Sequence, residues 1–357
     1  MRFLFFALSI IAISSGFSKE EDFDDMISYH PYYVPQAKKY SQGHLIENSQ
    51  VMPGYNAPAR IETGKSYDFF ASGSYLFYQP IEKGLVFAYT SDDPQSNIGK
   101  FFEVHSNYKS GFKLALGFGS SSDDWVYTAE YTRLHFSKVK RVEQSSINTW
   151  INFTTTRDVM SNIRVKWATD LDMLDLTFAR PFYSGTFLLL TPLFGLKGGY
   201  LDQSFNTDST RLSDSASLYS RDRINSHFIG LIGGLKAKLL IFWGVNFFTD
   251  VKASLFYQQF KVRNRQNSEA NPDVLFDNSI NRISYLTPNL LISSGLEWGT
   301  YLSKNSYHIS FLLGYEANVF FQQNLMAELK ESRITTHTSD IGDLFFHGII
   351  ANFKFNF

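Results

Sequence analysis

Hydrophobic and polar residues alternate along the last fourteen residues of the chain, 344–357. One series of alternate positions is almost entirely apolar and ends with Phe355 and Phe357, whereas the other series carries Asn352 and Lys354. Because successive side chains of a β-strand point to opposite faces, this pattern predicts a strand with one apolar face. Such a strand suits either the edge of a soluble sheet or the closing strand of a membrane-spanning barrel.

The same alternation recurs in many segments from Ser66 onward. Residues 307–321 are the clearest case, with an apolar or aromatic residue at every odd position and mostly polar or small residues between them. The phase of the alternation changes within residues 164–180, which predicts a β-bulge near Met173. Many runs exceed the usual soluble strand and match the roughly 9–11 residues of a tilted membrane-spanning strand. We therefore predict an all-β fold, a transmembrane antiparallel up-and-down β-barrel over residues 66–357.

The connections between these segments alternate in length. The short connections are residues 119–124, 181–185, 241–244 and 302–305. The long connections are polar and comprise residues 138–162, 204–222, 263–281 and 323–343. Short periplasmic turns and long external loops are the expected asymmetry of an outer-membrane barrel.

The number of strands follows from the same asymmetry. The pattern gives about eleven strands, and the carboxy terminus of such a barrel lies on the periplasmic side. An odd number would start the first strand outside the cell. We therefore expect about twelve strands, with one more before Ser66, and about 10–14 strands fit the pattern. Alternatively, the amino-terminal arm threads through the barrel.

The amino terminus has the features of a secretory signal peptide. Arg2 precedes an apolar run over residues 3–13, which is followed by small residues and then by charged ones. We predict a cleaved signal peptide over residues 1–18, since the run is short for the alternative, a membrane anchor. No later run approaches the roughly 18–20 apolar residues of a membrane-spanning helix. The predicted localisation is the bacterial outer membrane, with a soluble periplasmic protein as the alternative.

Residues 19–65 are polar, rich in Tyr, Pro and Asn, and show no periodicity. A segment of this composition cannot bury enough apolar surface to form a core of its own. We interpret it as either a mobile periplasmic arm or a plug in the barrel lumen.

Composition argues against several classes of function. The chain has 357 residues, a formal net charge of −1 and no Cys. Near-neutral charge gives no indication of nucleic-acid binding, and the absence of Cys excludes disulfides, thiolate metal sites and cysteine nucleophiles. The sequence contains no phosphate-binding loop, nucleotide motif or metal-ligand spacing. We expect no cofactor, no metal site and no nucleic-acid partner.

Catalysis would need a His or Ser beside an acid near the rim of the barrel. The eight histidines are scattered along the chain. In a regular strand His135 does not share a face with Glu130 or Thr132, and His347 falls on the predicted lipid face. We therefore expect no catalytic residues and no enzymatic activity.

Charged residues recur at the alternate positions that oppose the apolar series. In a soluble sandwich they would form the solvated outer face, whereas in a barrel they line the lumen, where charge sets ion preference. The predicted pore-lining residues are Lys113, Glu130, Arg164, Lys166, Asp170, Asp172, Lys197, Lys236, Lys238, Asp250, Lys252, Glu297, Glu316 and Lys354. Asp68 and Asp175 belong to the same series. Both signs occur in similar numbers, so the series predicts neither cation nor anion selectivity.

Several motifs follow one another in a fixed order along residues 66–357. They include Tyr75-Leu-Phe-Tyr-Gln-Pro80, Gly111-Phe-Lys-Leu-Ala-Leu-Gly-Phe118, Asp175-Leu-Thr-Phe-Ala-Arg180, Ala253-Ser-Leu-Phe-Tyr257 and the end from His347 to Phe357. Through them the chain resembles the Legionella-type major outer membrane protein family, which also occurs in chlamydia-like bacteria. The resemblance implies a pore-forming β-barrel. The chain departs from the pattern in lacking Cys, which excludes disulfide cross-linking, and in having Phe77-Tyr78 where the family often has Tyr-Trp.

The function we expect is that of a porin, which passes small hydrophilic solutes and ions by passive diffusion through a polar lumen. The expected partners are outer-membrane lipid, these solutes and the barrel-assembly machinery, for which Phe357 would be the recognition signal. A homo-oligomer is compatible with the sequence. The alternative is a structural or adhesive barrel that acts through its external loops.

Overall fold

The computed structural model describes residues 59–63, 67–91, 99–120, 124–148, 159–269, 276–303, 305–325 and 342–357. The predicted signal peptide and residues 19–58 of the arm lie outside the described residues. The strands are β1 (Tyr67–Glu82), β2 (Val86–Ser91), β3 (Gly99–Glu103), β4 (Lys109–Ser120), β5 (Val126–Asn148), β6 (Val159–Ala179), β7 (Phe182–Ser184), β8 (Leu188–Arg211), β9 (Ser217–Phe242), β10 (Val245–Ser268), β11 (Phe276–Leu302), β12 (Tyr307–Asn324) and β13 (Gly342–Asn356). Across these ranges, no helix is long and apolar enough to cross a membrane.

The long strands pair in chain order to form a closed antiparallel barrel, as predicted. The ring consists of β1, β4, β5, β6, β8, β9, β10, β11, β12 and β13. It closes through β1 and β13, which pair from Phe70↔Asn356 to Glu82↔Leu344. At the end of this ladder the Phe357 amide donates to the Phe69 carbonyl at 2.8 Å, and the Phe69 amide donates back at 3.2 Å.

Residues 54–241 and 245–357 form one compact unit. Of the second unit, which comprises residues 1–53 and 242–244, the structure describes only Phe242–Gly244. These three residues are the end of β9 and the turn that follows it.

The ring has ten strands in the described part of the chain, within the expected range but fewer than the expected twelve. The segment from Leu85 to Tyr89 has the alternation of a barrel strand. In the structure this segment forms most of β2, which pairs with β3 as a hairpin outside the ring. Without this segment the number of strands is even. The chain therefore enters and leaves the barrel on the same side, and no additional strand before Ser66 is needed.

Several strands continue far into the segments that we predicted as long loops. β5 extends to Asn148 and β10 extends to Ser268. Between β8 and β9, a tight turn of residues 212–216 replaces the predicted loop 204–222. The Asp214 carboxylate accepts hydrogen bonds from the Ala216 amide at 3.1 Å and from Arg211 at 2.9 Å. The bond from the amide is the main reason that the pKa of Asp214 lies below its usual value.

The outward face of the barrel carries an apolar band. On β9 every outward residue from Ile229 to Leu239 is apolar or Gly. From Ile229 to Leu239 the strand rises by ten residues of about 3.4 Å each. At a strand tilt of about 40° from the barrel axis, this length spans about 26 Å of membrane, close to the lipid-facing band of outer-membrane barrels. Aromatic rings border its periplasmic edge, with successive centroids 4.8–6.4 Å apart, in the order Tyr307, Phe355, Phe357, Phe69, Phe118, Tyr127, Phe178 and Phe194.

Beyond the outer edge of this band the two faces exchange polarity, and β6 shows this most clearly. From Asp175 to Ile163 its buried inward residues are odd-numbered, and they change from Asp175 to the apolar Met173, Leu171 and Trp167. Both ladders of β6 pass through Met173 without a register shift. The predicted β-bulge is therefore wrong, because the phase change marks the point where the strand leaves the lipid.

We expect a valine-to-arginine substitution to distinguish the apolar band from the part of the barrel beyond its outer edge. Val251 lies near the middle of the apolar band on β10 and Val139 lies beyond it on β5, with similar exposed fractions of 37% and 41%. Val251→Arg should lower the free energy of unfolding by about 2–4 kcal/mol, because it places a charge in hydrocarbon. Val139→Arg should change it by less than about 0.5 kcal/mol. Urea unfolding in lipid vesicles measures both, and equal losses would show that the band is misplaced.

Candidate functional site: the barrel interior

Ten of the fourteen predicted pore-lining residues face the interior. They are Lys113, Glu130, Lys197, Lys236, Lys238, Asp250, Lys252, Glu297, Glu316 and Lys354. Together with Asp175, which also faces inward, we call these eleven residues the charged layer. The inward assignment of the remaining four, Arg164, Lys166, Asp170 and Asp172, is wrong. They alternate with the buried odd-numbered residues of β6 and therefore lie on its outward face.

Ion pairs in the charged layer cross the interior. The Lys113 ammonium on β4 lies 2.7 Å from the Glu316 carboxylate on β12, although β1 and β13 separate these strands in the ring. The Tyr78 hydroxyl donates to the same carboxylate at 2.5 Å. Lys238 on β9 reaches across β10 to Glu297 on β11 at 2.7 Å. These pairs tie strands that share no backbone hydrogen bonds.

Shorter-range pairs complete the layer. Lys197 lies 3.3 Å from Asp175 on the adjacent strand, and its ammonium also approaches the Asn289 side-chain oxygen at 3.5 Å. Lys252 lies 3.3 Å from Asp250, two residues away on β10. Each pair leaves both charges largely out of solvent, where an isolated charge would be costly.

Two lysines of the layer lie over aromatic rings. The Lys354 ammonium is 3.7 Å from the centroid of Phe70, and the Lys236 ammonium is 5.4 Å from the centroid of Phe248. Within the described residues, neither ammonium group lies within 4.0 Å of a carboxylate. Each ring offers a cation–π contact, which compensates only part of the cost of burying a charge.

Several buried polar atoms of the inward face have no hydrogen-bond partner among the described residues. They are Thr132 Oγ1, Asp175 Oδ1, Asn246 Oδ1, Asp250 Oδ1 and Ser254 Oγ. Buried polar atoms in native proteins are almost always bonded to protein or to ordered water. Their presence beside the charged layer indicates an interior that ordered water can hydrate.

An apolar cluster fills the interior beyond the charged layer. Its aromatic members span the barrel: Phe136 on β5 contacts Phe346 on β13 at 5.3 Å between centroids, and Phe228 contacts Phe256 at 4.6 Å. The wall contributes, among others, Leu134, Phe136, Val165, Trp167, Leu171, Leu201, Phe205, Phe228, Phe256, Phe260, Phe320 and Phe346. The cluster was not predicted from the sequence, because assigning Arg164, Lys166, Asp170 and Asp172 to the lumen leaves the apolar residues that alternate with them on the lipid face.

The hairpin of β2 and β3 completes the apolar cluster from outside the ring. Leu85, Phe87, Ala88, Phe102 and Val104 are all buried in it. β2 pairs with the outer end of β5 at Tyr89↔Asn148, beyond the point where the ladder of β4 with β5 ends. Two inward lysines of β5 bind the end of β3 and the residues after it. Lys140 donates to the Glu103 carbonyl at 2.6 Å, and Lys138 donates to the Asn107 side chain at 3.1 Å.

Residues 59–63 contact the periplasmic end of the barrel. The buried Arg60 guanidinium contacts the Asp68 carboxylate of β1, and it lies 3.5 Å from Asp124 in the turn between β4 and β5. The Thr63 amide donates to Asp68 at 2.7 Å, and the Ala59 amide donates to the Pro181 carbonyl at 3.1 Å. This is the end of the predicted arm, and occupation of the lumen by the rest of it stays a prediction.

The two histidines considered for catalysis lie on the outward face. The exposed His135 contacts Asp170 of the neighbouring strand, and the Tyr315 hydroxyl lies 2.5 Å from the Nδ1 atom of His347. In the part of the chain that the structure describes, no group of three or more His, Cys, Asp or Glu residues could hold a metal ion.

A closed antiparallel barrel with an apolar outer band and a charged interior is the architecture of outer-membrane proteins. The family model described as the Legionella pneumophila major outer membrane protein precursor matches residues 62–357. The chain belongs to this family. As a major outer membrane β-barrel protein, it is located in the outer membrane, as predicted, and the resemblance seen in its motifs is confirmed.

Solved structures of other outer-membrane proteins are similar to this member of the Legionella major outer membrane protein family. A major outer membrane protein from Thermus thermophilus is 8% identical, with a TM-score of 0.36, over 82% of this chain and 100% of that chain. A Pseudomonas aeruginosa FadL homologue is 7% identical, with a TM-score of 0.27, over 82% and 90%. OmpT from Vibrio cholerae is 6% identical, with a TM-score of 0.15, over 81% and 98%. No curated protein matches the chain.

Substitution of one or both partners of the Lys113–Glu316 pair tests the charged layer. Lys113→Met should lower the free energy of unfolding by about 3–5 kcal/mol, because it leaves the Glu316 carboxylate buried without its cation. The double substitution of both residues by Met should cost less than the single one. Arg263→Met, which removes the exposed pair of Arg263 with Asp277, should cost less than about 1 kcal/mol. A double variant that is less stable than Lys113→Met would contradict the buried pair.

Proposed function

We propose that the protein is a narrow outer-membrane channel through which small hydrophilic solutes and ions diffuse passively. The observation that supports this proposal is the charged layer, with six lysines and five carboxylates in the membrane half of the interior. Buried ion pairs rarely stabilise a protein more than well-packed apolar residues of similar volume. An interior that served stability alone would therefore be more economically built from apolar residues. A passage for polar solutes, by contrast, requires charged and hydrogen-bonding groups.

The channel that we propose opens by movement of the β2–β3 hairpin. In the structure the apolar cluster covers the outer side of the charged layer, and hydrophobic constrictions of this kind close channels by excluding water. The hairpin supplies part of that cluster without belonging to the ring. Its two ends meet, since the Val104 amide donates to the Leu85 carbonyl at 3.4 Å. Movement of the hairpin would break its pairing with β5 at Tyr89↔Asn148 and the hydrogen bond from Lys140 to the Glu103 carbonyl.

The second candidate is a structural or adhesive barrel without conductance. It is favoured by the filling of the interior, in which even Lys197 and Glu316 are at most 3% exposed. Barrels of about eight strands are filled by their side chains, and much larger ones leave an aqueous channel. With ten ring strands among the described residues, this barrel lies closer in size to the filled barrels than to those with an aqueous channel. Recognition of Phe357 by the assembly machinery and homo-oligomer formation stay predictions of the sequence under both functions.

Replacement of the hairpin tests the proposed channel. Residues 86–103 are exchanged for a short Gly-Ser linker, which the close approach of Leu85 and Val104 allows. Single-channel conductance in planar bilayers should be larger than that of the unaltered chain, because part of the apolar cluster is removed. A matched control shortens the exposed turn 212–216, which should leave conductance unchanged. If neither the unaltered chain nor the hairpin variant conducts, the channel proposal fails and the structural or adhesive barrel replaces it.

Ion selectivity provides a separate test of the charged layer. Lys236→Gln with Lys354→Gln removes the two lysines that lie over aromatic rings, so the reversal potential in a salt gradient should shift toward cation preference. The shift should shrink as salt rises, since screening acts over about 10 Å at 0.1 M. Arg164→Gln with Lys166→Gln removes two positive charges from the outward face of β6. An equal shift from this control pair would place the passage away from the charged layer.

A further inference from the structure

A groove of about 360 Å³ lies on the outward face of β8, β9, β10 and β11, away from the interior. Its lining includes Tyr200, His227, Gln259, Lys261, Asn281 and Arg282. Apolar, well-exposed residues follow within two outward positions toward the membrane centre, among them Ile229, Leu255 and Leu286. The groove therefore lies at the outer edge of the apolar band, where hydrocarbon gives way to lipid headgroups.

A β-bulge gathers the two cations of the groove. On β10, Phe260 pairs with Ile283 and Val262 pairs with Ile280. Lys261 alone thus stands opposite two residues of β11, Asn281 and Arg282. A bulge bends the strand and redirects side chains, and here all three of these residues line the groove.

The charges of the groove are not neutralised within the described part of the protein. Neither Lys261 nor Arg282 forms an ion pair there, whereas the nearby Arg263 lies 2.5 Å from Asp277. Asp202 is the acidic residue among those that line the groove. Around the cations, His227 lies 3.1 Å from Gln259, whose amide donates to the Tyr257 hydroxyl at 3.1 Å. The lining thus combines a net positive charge with side chains that can form hydrogen bonds.

We propose that this groove binds the phosphate of an anionic glycolipid in the outer leaflet of the outer membrane. Lys261 and Arg282 bind the phosphate oxygens, for which the planar guanidinium of Arg is well suited. The exposed rings of Tyr200 and Tyr257 lie along the sugar and the start of the acyl chains, a position that aromatic residues favour at membrane interfaces. Cations near a membrane surface attract anionic lipid. This site is independent of whether the interior conducts.

Native mass spectrometry of the refolded chain in detergent tests the site, with diphosphorylated lipid A as the probe. We expect one lipid to bind with preference over the same lipid after removal of its phosphates. Lys261→Gln with Arg282→Gln should weaken binding about 10-fold or more, because two charge-assisted contacts are lost. Arg133→Gln with Arg141→Gln removes equal charge from the outward face of β5 and should leave binding unchanged.

The outcomes distinguish specific binding in the groove from non-specific electrostatic attraction of anionic lipid to the barrel surface. Equal weakening by both double variants, or unchanged binding by the groove variant, would overturn the proposal, and so would equal binding of the dephosphorylated lipid. Displacement of the lipid by an equal concentration of inorganic phosphate would also overturn it, since the site would then recognise free phosphate. Heat-modifiable migration on gels verifies that each variant is folded. The comparison of the two lipids uses the unaltered chain and does not depend on any variant.

Discussion

The pairing of β1 with β13 is the contact on which the rest of this barrel depends. A strand edge in hydrocarbon has no water to satisfy its amides and carbonyls, so an open sheet is not viable there. The reciprocal hydrogen bonds of Phe69 and Phe357 continue the closing ladder to the last residue of the chain. Closure then determines which residues meet across the interior. Lys113 and Glu316 are 203 residues apart in sequence. They become partners because the pairing of β1 with β13 brings β4 and β12 within reach of each other in the ring.

Much of the fold could be predicted from alternation alone, and β6 shows where that reasoning stops. The apolar series assigns the correct faces of β9, β10, β12 and β13. On β6 the apolar residues change from even to odd positions near Met173. A β-bulge and an exchange of polarity at the membrane boundary produce the same sequence pattern. Only the register of both neighbouring strands distinguishes them, and that register is a tertiary property.

The charged residues of the interior could be predicted only within the apolar band, because there the lipid excludes charge from the outward face. Within the apolar band a charge on a strand is tolerated only on the inward face, which is why the lysines of β9 and β10 could be assigned. Beyond the band that argument no longer applies, and Arg164 and Lys166 lie in contact with solvent. The Leu85–Tyr89 segment alternates like a barrel strand because a hairpin that covers an apolar core also has one buried face. Alternation reports burial on one side, not membership of the ring.

The exchange of polarity along the strands has a consequence for how this protein can vary among bacterial lineages. The membrane half and the projecting half of β9 are subject to opposite rules for substitution. Around Gly233 and Leu235, new charges on the outward face are selected against, and polar changes are tolerated inside. Around Arg221 and Arg223, outward positions face solvent, so polar substitutions there should change the free energy of unfolding little. Inward positions such as Ile224 must stay apolar there, as in the core of a soluble protein. One strand thus follows two opposite rules for substitution, with the boundary at the edge of the lipid.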